Sequence, residues 1–453
     1  MLRPPSDFLR EARGLKIGNL LMYKKFVEFK ESQDIVSGHN EYTFQDLLAD
    51  EQAPKDAILH YIEEKNPYNE TKDIWLKGFE LPIWIEEHDD YDKVIKEELE
   101  HYQSEINKKL YWKKDPDFLE ELDKVVRHIK DAIHLERCGK TTEAQKEICA
   151  IIEKCCSERF FVHPLTKNFA FRETAAFEDG KELEARRSEL LTFFRCRKGK
   201  VDKKEEMYPL PKEKLSYSSA QRYSLAGIPC LYLATTTYCC WMEIGRPEEF
   251  SASSYQPTKS GEKLRILNLA FNQQQMINLD NNDRRAAYLL FPLIMAVSVS
   301  VKNPRSDANF RPEYTISHLL MRCLNALDIH GIAYLSSRID DVLGLPHTIN
   351  LAIPVFDETK TFADFLITDP GTFSPQKGLC KEKQDASSPQ KHLCKEKQDA
   401  FELSYLNKFY IKEDDVLSYI SCYGCAIHYP KTSFSDIDNY LAGRTYYPMN
   451  NEK

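Results

Sequence analysis

The sequence predicts an α+β protein in which a mainly helical N-terminal region precedes a mixed β core with helices. Two observations carry this reading. From Asp7 to about Phe160, Lys, Glu and Asp are abundant and apolar residues recur at helical spacing, whereas after about Arg195 short β-rich runs alternate with turn residues. In the second part, helix and strand mix without a regular βαβ alternation, which disfavours a doubly wound sheet.

In the N-terminal part, Phe118, Leu119, Leu122, Val125, Val126, Ile129 and Ile133 fall at i, i+3, i+4 and i+7 spacing and lay one apolar stripe along a helix that stops near Gly139. A second helix fits Glu143 to Cys156, with Ile148, Ile151, Ile152 and Cys155 as its stripe. Phe193 to Arg197 alternates apolar and basic as a strand does, which aims Arg195 and Arg197 to one face. Further strands are expected at Pro229 to Ala234, Leu264 to Phe271, Ala296 to Val301, Gly331 to Ser336 and Thr348 to Val355. Glu313 to Leu327 reads as a helix buried through Ile316, Leu319, Leu320, Cys323, Leu324 and Leu327.

The 453 residues suffice for two or three domains. The expected division is a helical region over 1–165, a catalytic domain over 166–372, a duplicated polar loop or linker over 373–400, and a segment over 401–453 that completes the catalytic domain. Sixty-two basic residues against 71 acidic ones leave a formal charge of −9, which argues against a nucleic-acid partner. Thirteen cysteines, an odd and scattered number, suit buried thiols in a reducing cytoplasm better than a disulfide framework. Met1 to Phe8 has no apolar core of signal-peptide length. Ala286 to Val301, interrupted by Pro292, Ser298 and Ser300, falls short of a membrane span and reads as a buried helix end running into a core strand. No membrane association is expected.

Ser374 to Ala386 recurs as Ser388 to Ala400, differing only where Gly378 becomes His392. Such polar copies cannot bury a face of their own, so they read as a duplicated loop. Three fragments imitate known sites and fail. Gly139-Lys140-Thr141 lacks the earlier glycine of a phosphate loop, Cys422 and Cys425 with His428 lack a second ligand pair, and His128 and His134 lack an HExxH pattern. No metal site is expected.

The chemistry concentrates between Arg222 and Glu243. Gly227 and Pro229 turn into a strand that carries Tyr232, and Tyr238 to Glu243 opens a helix, so a cation, an aromatic ring and a carboxylate meet at one end of a strand-helix unit. Downstream, His330 to Arg338 forms a strand ending in Ser336, Ser337 and Arg338.

FFRCR at Phe193, QRYSLAGIPCLYLA at Gln221, WMEI at Trp241, FPLIMAVSVSV at Phe291, PEYTISHLL at Pro312 and GIAYLSSR at Gly331 resemble, in order and spacing, the RES domain family, named for its Arg, Glu and Ser. The resemblance covers about Thr192 to Asp341 and implies an ADP-ribosyltransferase-like fold. It also implies an enzyme that consumes NAD as hydrolase, phosphorylase or ADP-ribosyltransferase, of the kind found among toxins held by a partner antitoxin. Ser317-His318, after the PEY segment, departs from the Pro-Gln expected of the family.

On that reading, Glu243 supplies the anion that stabilises an oxocarbenium ion and orients the ribose 2′-hydroxyl. Arg222 and Arg195 offer planar forks to the pyrophosphate or to attacking inorganic phosphate, and Tyr232 offers a face to the nicotinamide. Tyr223 and Arg197 join the candidate NAD-binding residues. Either Ser336 or Ser337 holds a ribose or phosphate oxygen, and Arg195 and Arg197 remain alternatives. NAD is thus expected as substrate, with no resident cofactor. The expected role is a toxin or defence effector that depletes NAD, restrained by an antitoxin or regulatory protein, and the chain leaves room for a homo-oligomer. A non-catalytic nucleotide sensor or scaffold, and a transferase acting on a macromolecule, are the competing readings.

Overall fold

The computed structural model describes residues 78–156, 161–171, 191–217, 220–273, 281–302, 310–338, 348–373 and 433–449, with a few isolated positions and the strand pair at 400–401. The duplicated segment before residue 400 and the Cys422, Cys425 and His428 group lie outside the described residues.

Among the described residues, three long helices and the short helical turn Leu110–Lys113 build the N-terminal part. In α1 (Tyr91–Lys108), Asp90 caps the start by accepting from the Asp92 and Lys93 amides, and Tyr91, Ile95, Leu99, Tyr102 and Ile106 form its buried stripe. In α2 (Pro116–Arg137), Asp115 is the cap, Pro116 occupies the first turn, and the expected stripe from Phe118 to Ile133 is buried except for Leu119, which is partly buried. Gly139, at φ +74°, ends this helix in the left-handed conformation. This is the helix stop the sequence suggested for Gly139-Lys140-Thr141. The third helix, α3 (Thr141–Cys155), packs back on α2 through Ala144, Ile148, Ile151 and Ile152.

The main sheet contains β2 (Val162–Pro164), β3 (Phe193–Lys198), β4 (Cys230–Ala234), β5 (Phe250–Pro257), β6 (Arg265–Leu269), β8 (Gly331–Leu335), β9 (Ile349–Pro354), β10 (Phe365–Thr368), β11 (Gly371–Phe373), β12 (Ala400–Phe401) and β13 (Tyr446–Pro448). Its order is β12-β11-β5-β3-β4-β9-β8-β6-β2, with β10 and β13 extending from β5. Pairing is antiparallel except at β6 with β8 and β11 with β12. The helices of this part are α4 (Thr237–Glu243), α5 (Asn281–Val297), α6 (Thr315–Leu324), α7 (Glu358–Ala363) and α8 (Ser433–Ala442). The architecture is α+β, as the sequence predicted.

Two expectations need correction. The run from Ala296 to Val301 is shorter as a strand, because α5 continues to Val297, and β7 (Val299–Val301) pairs in parallel with β1 (Ile83–Ile85) outside the main sheet. The cysteines are not all thiols. Cys149 on α3 and Cys323 on α6 form a disulfide because these helices pack with the two Cα atoms 5.6 Å apart. Cys196, Cys230, Cys239 and Cys240 are buried thiols outside any disulfide.

One apolar core runs from the N-terminal helices into the main sheet. At its centre, α5 is buried on every side from Ala286 to Val297. Pro292 inside it has no N–H to give to the Tyr288 carbonyl four residues earlier, and the Tyr102 hydroxyl of α1 donates to that oxygen at 2.8 Å. Tyr91 donates likewise to Ala296 O at 3.0 Å, in the last turn of α5. Arg285 joins α5 to the α2 end through Asp115 and Glu121 at 2.8 and 3.0 Å. No helix among the described residues is long and apolar enough to cross a membrane.

Candidate active site

Strand alternation decides which side chains can meet. On β4, Cys230, Tyr232 and Ala234 share one face, and the register Ala234↔Asn350 and Tyr334↔Asn350 puts Asn350 of β9 and Tyr334 of β8 on that face too. Ser336, two residues beyond Tyr334, follows it. The chain then leaves β4 through Thr236, whose side chain caps α4 by accepting from the Cys239 amide, and α4 crosses the same face with Glu243 as its last residue. Gly245 at φ +83° and Arg246 at φ +52° close the helix end, Arg246 N donating to Trp241 O at 3.0 Å.

Glu243 is reached by two donors. Ser336 Oγ and Asn350 Nδ2 both donate to its Oε1, at 2.8 and 2.7 Å, while Oε2 has no hydrogen-bond partner among the described residues. Both donors are almost fully buried, and Glu243 keeps part of its surface open to solvent. Asn350 is itself oriented, since its Oδ1 accepts from Cys239 Sγ at 3.4 Å. One carboxylate oxygen is thereby fixed and the other is not.

Beside the carboxylate lies a layer of tyrosines. The rings of Tyr223 and Tyr334 sit 4.1 Å apart between centroids, and the Tyr232 hydroxyl accepts from Tyr223 N at 3.2 Å. Burial first, and then the nearby Glu243 charge, hold the Tyr334 phenol well above the usual tyrosine range, so it remains neutral.

Tyr223 is presented by a tight turn in which Gln221 and Ser224 bridge each other. His318 of α6 clamps this turn. Its Nε2 lies 2.8 Å from Gln221 O, an atom that can only accept, so that nitrogen carries the proton. Burial lowers the His318 pKa below 6.5 and keeps the ring neutral.

Arg222 stands next to this layer but its fork is turned elsewhere. Nη1 donates to Val297 O at 2.9 Å and Nη2 to Val299 O at 2.6 Å, and the guanidinium lies 4.9 Å from the Tyr314 ring centre. A cation thus terminates α5, where exposed carbonyls and the helix dipole favour positive charge.

Arg195 and Arg197 are not brought to Glu243. Phe194 faces Ala234, so by alternation both arginines project from the opposite side of β3, registered against Ser253 and Ser251 of β5. Arg197 Nη2 donates to Tyr208 O at 3.2 Å, and burial, with Arg195 beside it, lowers its pKa to about 10. Of the serine pair, Ser336 bonds the carboxylate, while Ser337 offers its carbonyl to Ser300 Oγ at 3.1 Å.

Sequence reasoning missed Asn350, Tyr334 and the cap that Asp438 places on α4. A lone Asn in the apolar run Ile349–Pro354 was a signal for the first, and the position of Tyr334 two residues before Ser336 was one for the second. Nothing local connects Asp438 with Thr237.

A half-buried carboxylate fixed at one oxygen, with aromatic rings beside it and an α+β core behind it, is the arrangement found here. Residues 192–374 match the family model of the RES domain, so the family resemblance seen in the six segments holds for this part of the chain. Among curated proteins, one described as "Putative toxin YopC", from Bacillus subtilis (strain 168), is 29% identical over 164 residues, which make up 33% of this chain and 37% of that protein. The chain therefore matches little more than a third of that relative's length. No solved structure matches the chain.

Proposed function

We propose that this protein cleaves the nicotinamide N-glycosidic bond of NAD, transferring the ADP-ribosyl group to water or to inorganic phosphate. The observation that carries the reading is the Glu243 carboxylate, held through Oε1 by Ser336 and Asn350 with Oε2 without a partner among the described residues. As the C1″–N1 bond breaks, its electron pair returns to the pyridine ring, which leaves as neutral nicotinamide and needs no acid. Positive charge then develops on the ribose, and a preorganised carboxylate beside it stabilises that charge more than it stabilises the ground state. Addition of water gives ADP-ribose and one proton, and addition of phosphate gives the ADP-ribose 1″-phosphate.

In this reading Glu243 is the catalytic residue and Tyr232, Tyr223 and Tyr334 form the wall against which the nicotinamide stacks. Ser336 both holds Glu243 and offers its oxygen to the ribose. Arg222 acts by keeping the Tyr223 turn in place. Arg195 and Arg197, across the sheet, have no direct contact with the reacting carbon. The relative's printed name supports a toxin role, and the family resemblance implies NAD depletion restrained by a partner protein.

The test is incubation of the purified full chain with NAD, with and without phosphate, and identification of products by mass spectrometry. Nicotinamide with ADP-ribose or its 1″-phosphate is expected, and lost in Glu243→Gln. NAD bound but unchanged supports a sensor or scaffold, and ADP-ribose attached to a protein supports a transferase acting on macromolecules.

A further inference from the structure

We propose that the C-terminal segment 433–449 is a positioning element for Glu243, acting through Asp438 and Thr237, an inference that rests on the reading of Glu243 given above. The RES match ends at residue 374, so this segment lies outside it. Yet it closes over the helix that carries the candidate catalytic carboxylate.

The helix α4 has only seven residues, too few to hold itself in place, so its position is set by what packs on it. On its inner side lie Phe194 and Ala234 of the sheet. On its outer side lies α8. The Phe434 ring is 5.3 Å from that of Tyr238 and 5.4 Å from that of Trp241, and Ile437 and Leu441 are buried in the same cluster.

The polar tether is specific. Asp438 Oδ1 accepts from Thr237 N at 2.9 Å and from Thr237 Oγ1 at 2.6 Å, and Thr237 has no exposed surface. The Thr237 amide is one of the first-turn donors that a helix cannot satisfy itself, so a carboxylate from elsewhere in the chain fixes where α4 begins. Glu243 ends the same two turns, and any shift at Thr237 is carried along the backbone to its carboxylate. The segment has its own anchors. Ser254 Oγ of β5 donates to Leu441 O at 2.9 Å, Tyr446 donates to Ser254 Oγ at 3.0 Å, and β13 pairs with β10. The segment therefore ties the Glu243 helix to β5 and β10.

The test uses the full chain, with kcat and KM for NAD measured beside thermal melting in Asp438→Ala, Asp438→Asn and Thr237→Val. Displacing a catalytic group by about an ångström costs on the order of a hundredfold in rate. Asp438→Ala is expected to lower kcat about ten- to hundredfold with KM within twofold. Asp438→Asn, whose Oδ1 still accepts from Thr237, is expected to restore most of kcat, and Thr237→Val to fall between. If Asp438→Ala does not fold, the order of the other two variants decides: Thr237→Val with the kcat of Asp438→Asn and of the wild type overturns the proposal. So does a loss that only tracks the folded fraction and is not rescued by Asn. Wild-type cleavage that Glu243→Gln abolishes and Asp438→Ala leaves unchanged overturns this positioning role alone. Absence of cleavage by the wild type overturns the reading of the site beneath it.

Discussion

Tyr102 donates its hydroxyl to the carbonyl of Tyr288, the oxygen that Pro292 leaves without a helical donor, across 186 positions of sequence. Both groups are buried, so the bond repairs a defect in α5 with a side chain from the N-terminal helices. Tyr102→Phe keeps the ring and removes only the donor. A loss of about 1 to 3 kcal/mol is expected, the cost of a buried acceptor left unsatisfied, read from denaturant unfolding at unchanged m-value.

The same relationship predicts the fate of a chain that begins near Phe160. Without α1 and α2, the buried side chains of α5 lose the cover given by Tyr91, Ile95, Leu99 and Tyr102, and Arg285 loses both carboxylates. Such a fragment is expected to aggregate or to melt without cooperativity, and to leave NAD intact when expressed. A soluble fragment that depletes NAD faster than the full chain would instead make the helices inhibitory.

Glu243→Gln retains volume and removes the charge, so NAD cleavage is expected to fall about 10² to 10³-fold at unchanged melting temperature. Asn350→Ala removes one of the two donors to Oε1 and is expected to cost roughly tenfold in kcat. Product formation by each purified variant, compared with its melting curve, separates catalysis from folding.

Arg222→Lys is expected to act on the fold as well as on the site. A single ammonium cannot reproduce the two guanidinium bonds to Val297 and Val299, and charge-assisted bonds of this kind are worth about 1.5 to 3 kcal/mol each at partly buried positions. A lower melting temperature with a raised KM for NAD, as the Tyr223 turn loosens, is the expected pair of effects. An unchanged melting temperature with weakened NAD binding would return Arg222 to direct phosphate recognition.

His318 gives a pH dependence. Its pKa in the folded chain lies below the ordinary 6.5, so the unfolded chain binds the proton more readily and stability is lost as pH falls through 6.5 towards the folded value. His330, lowered by its own burial, adds to the same trend. Melting temperature is expected to drop between pH 7 and pH 5, and His318→Gln, which can still donate to Gln221 O, to flatten part of that drop.

Periodicity made α2, α3, β3, β4, β8 and β9 legible, because a helical stripe or strand alternation is a property of nearby residues alone. The α4 region and Glu243 were legible through local turn chemistry and the family segments. What the sequence could not carry was which face of the sheet each strand turns towards Glu243. The alternation of Phe193 to Arg197 put Arg195 and Arg197 on one side of β3, but only the register of Phe194 against Ala234 decided that this side is opposite Glu243. Composition suggested free thiols, and the packing of α3 on α6 brought Cys149 to Cys323.

The sequence by itself determined the α+β class, most of the elements and the resemblance of about Thr192 to Asp341 to the RES domain, since each is written in short local segments. Only the tertiary structure decided that Ser336 and Asn350 fix Glu243, that Arg222 terminates α5, and that Asp438 caps the helix bearing the carboxylate. These partners stand 75 to 201 positions apart in the chain. Hydrogen bonds across such distances depend on how helices and strands dock, and docking is set by the burial of the whole apolar core rather than by any local run of residues.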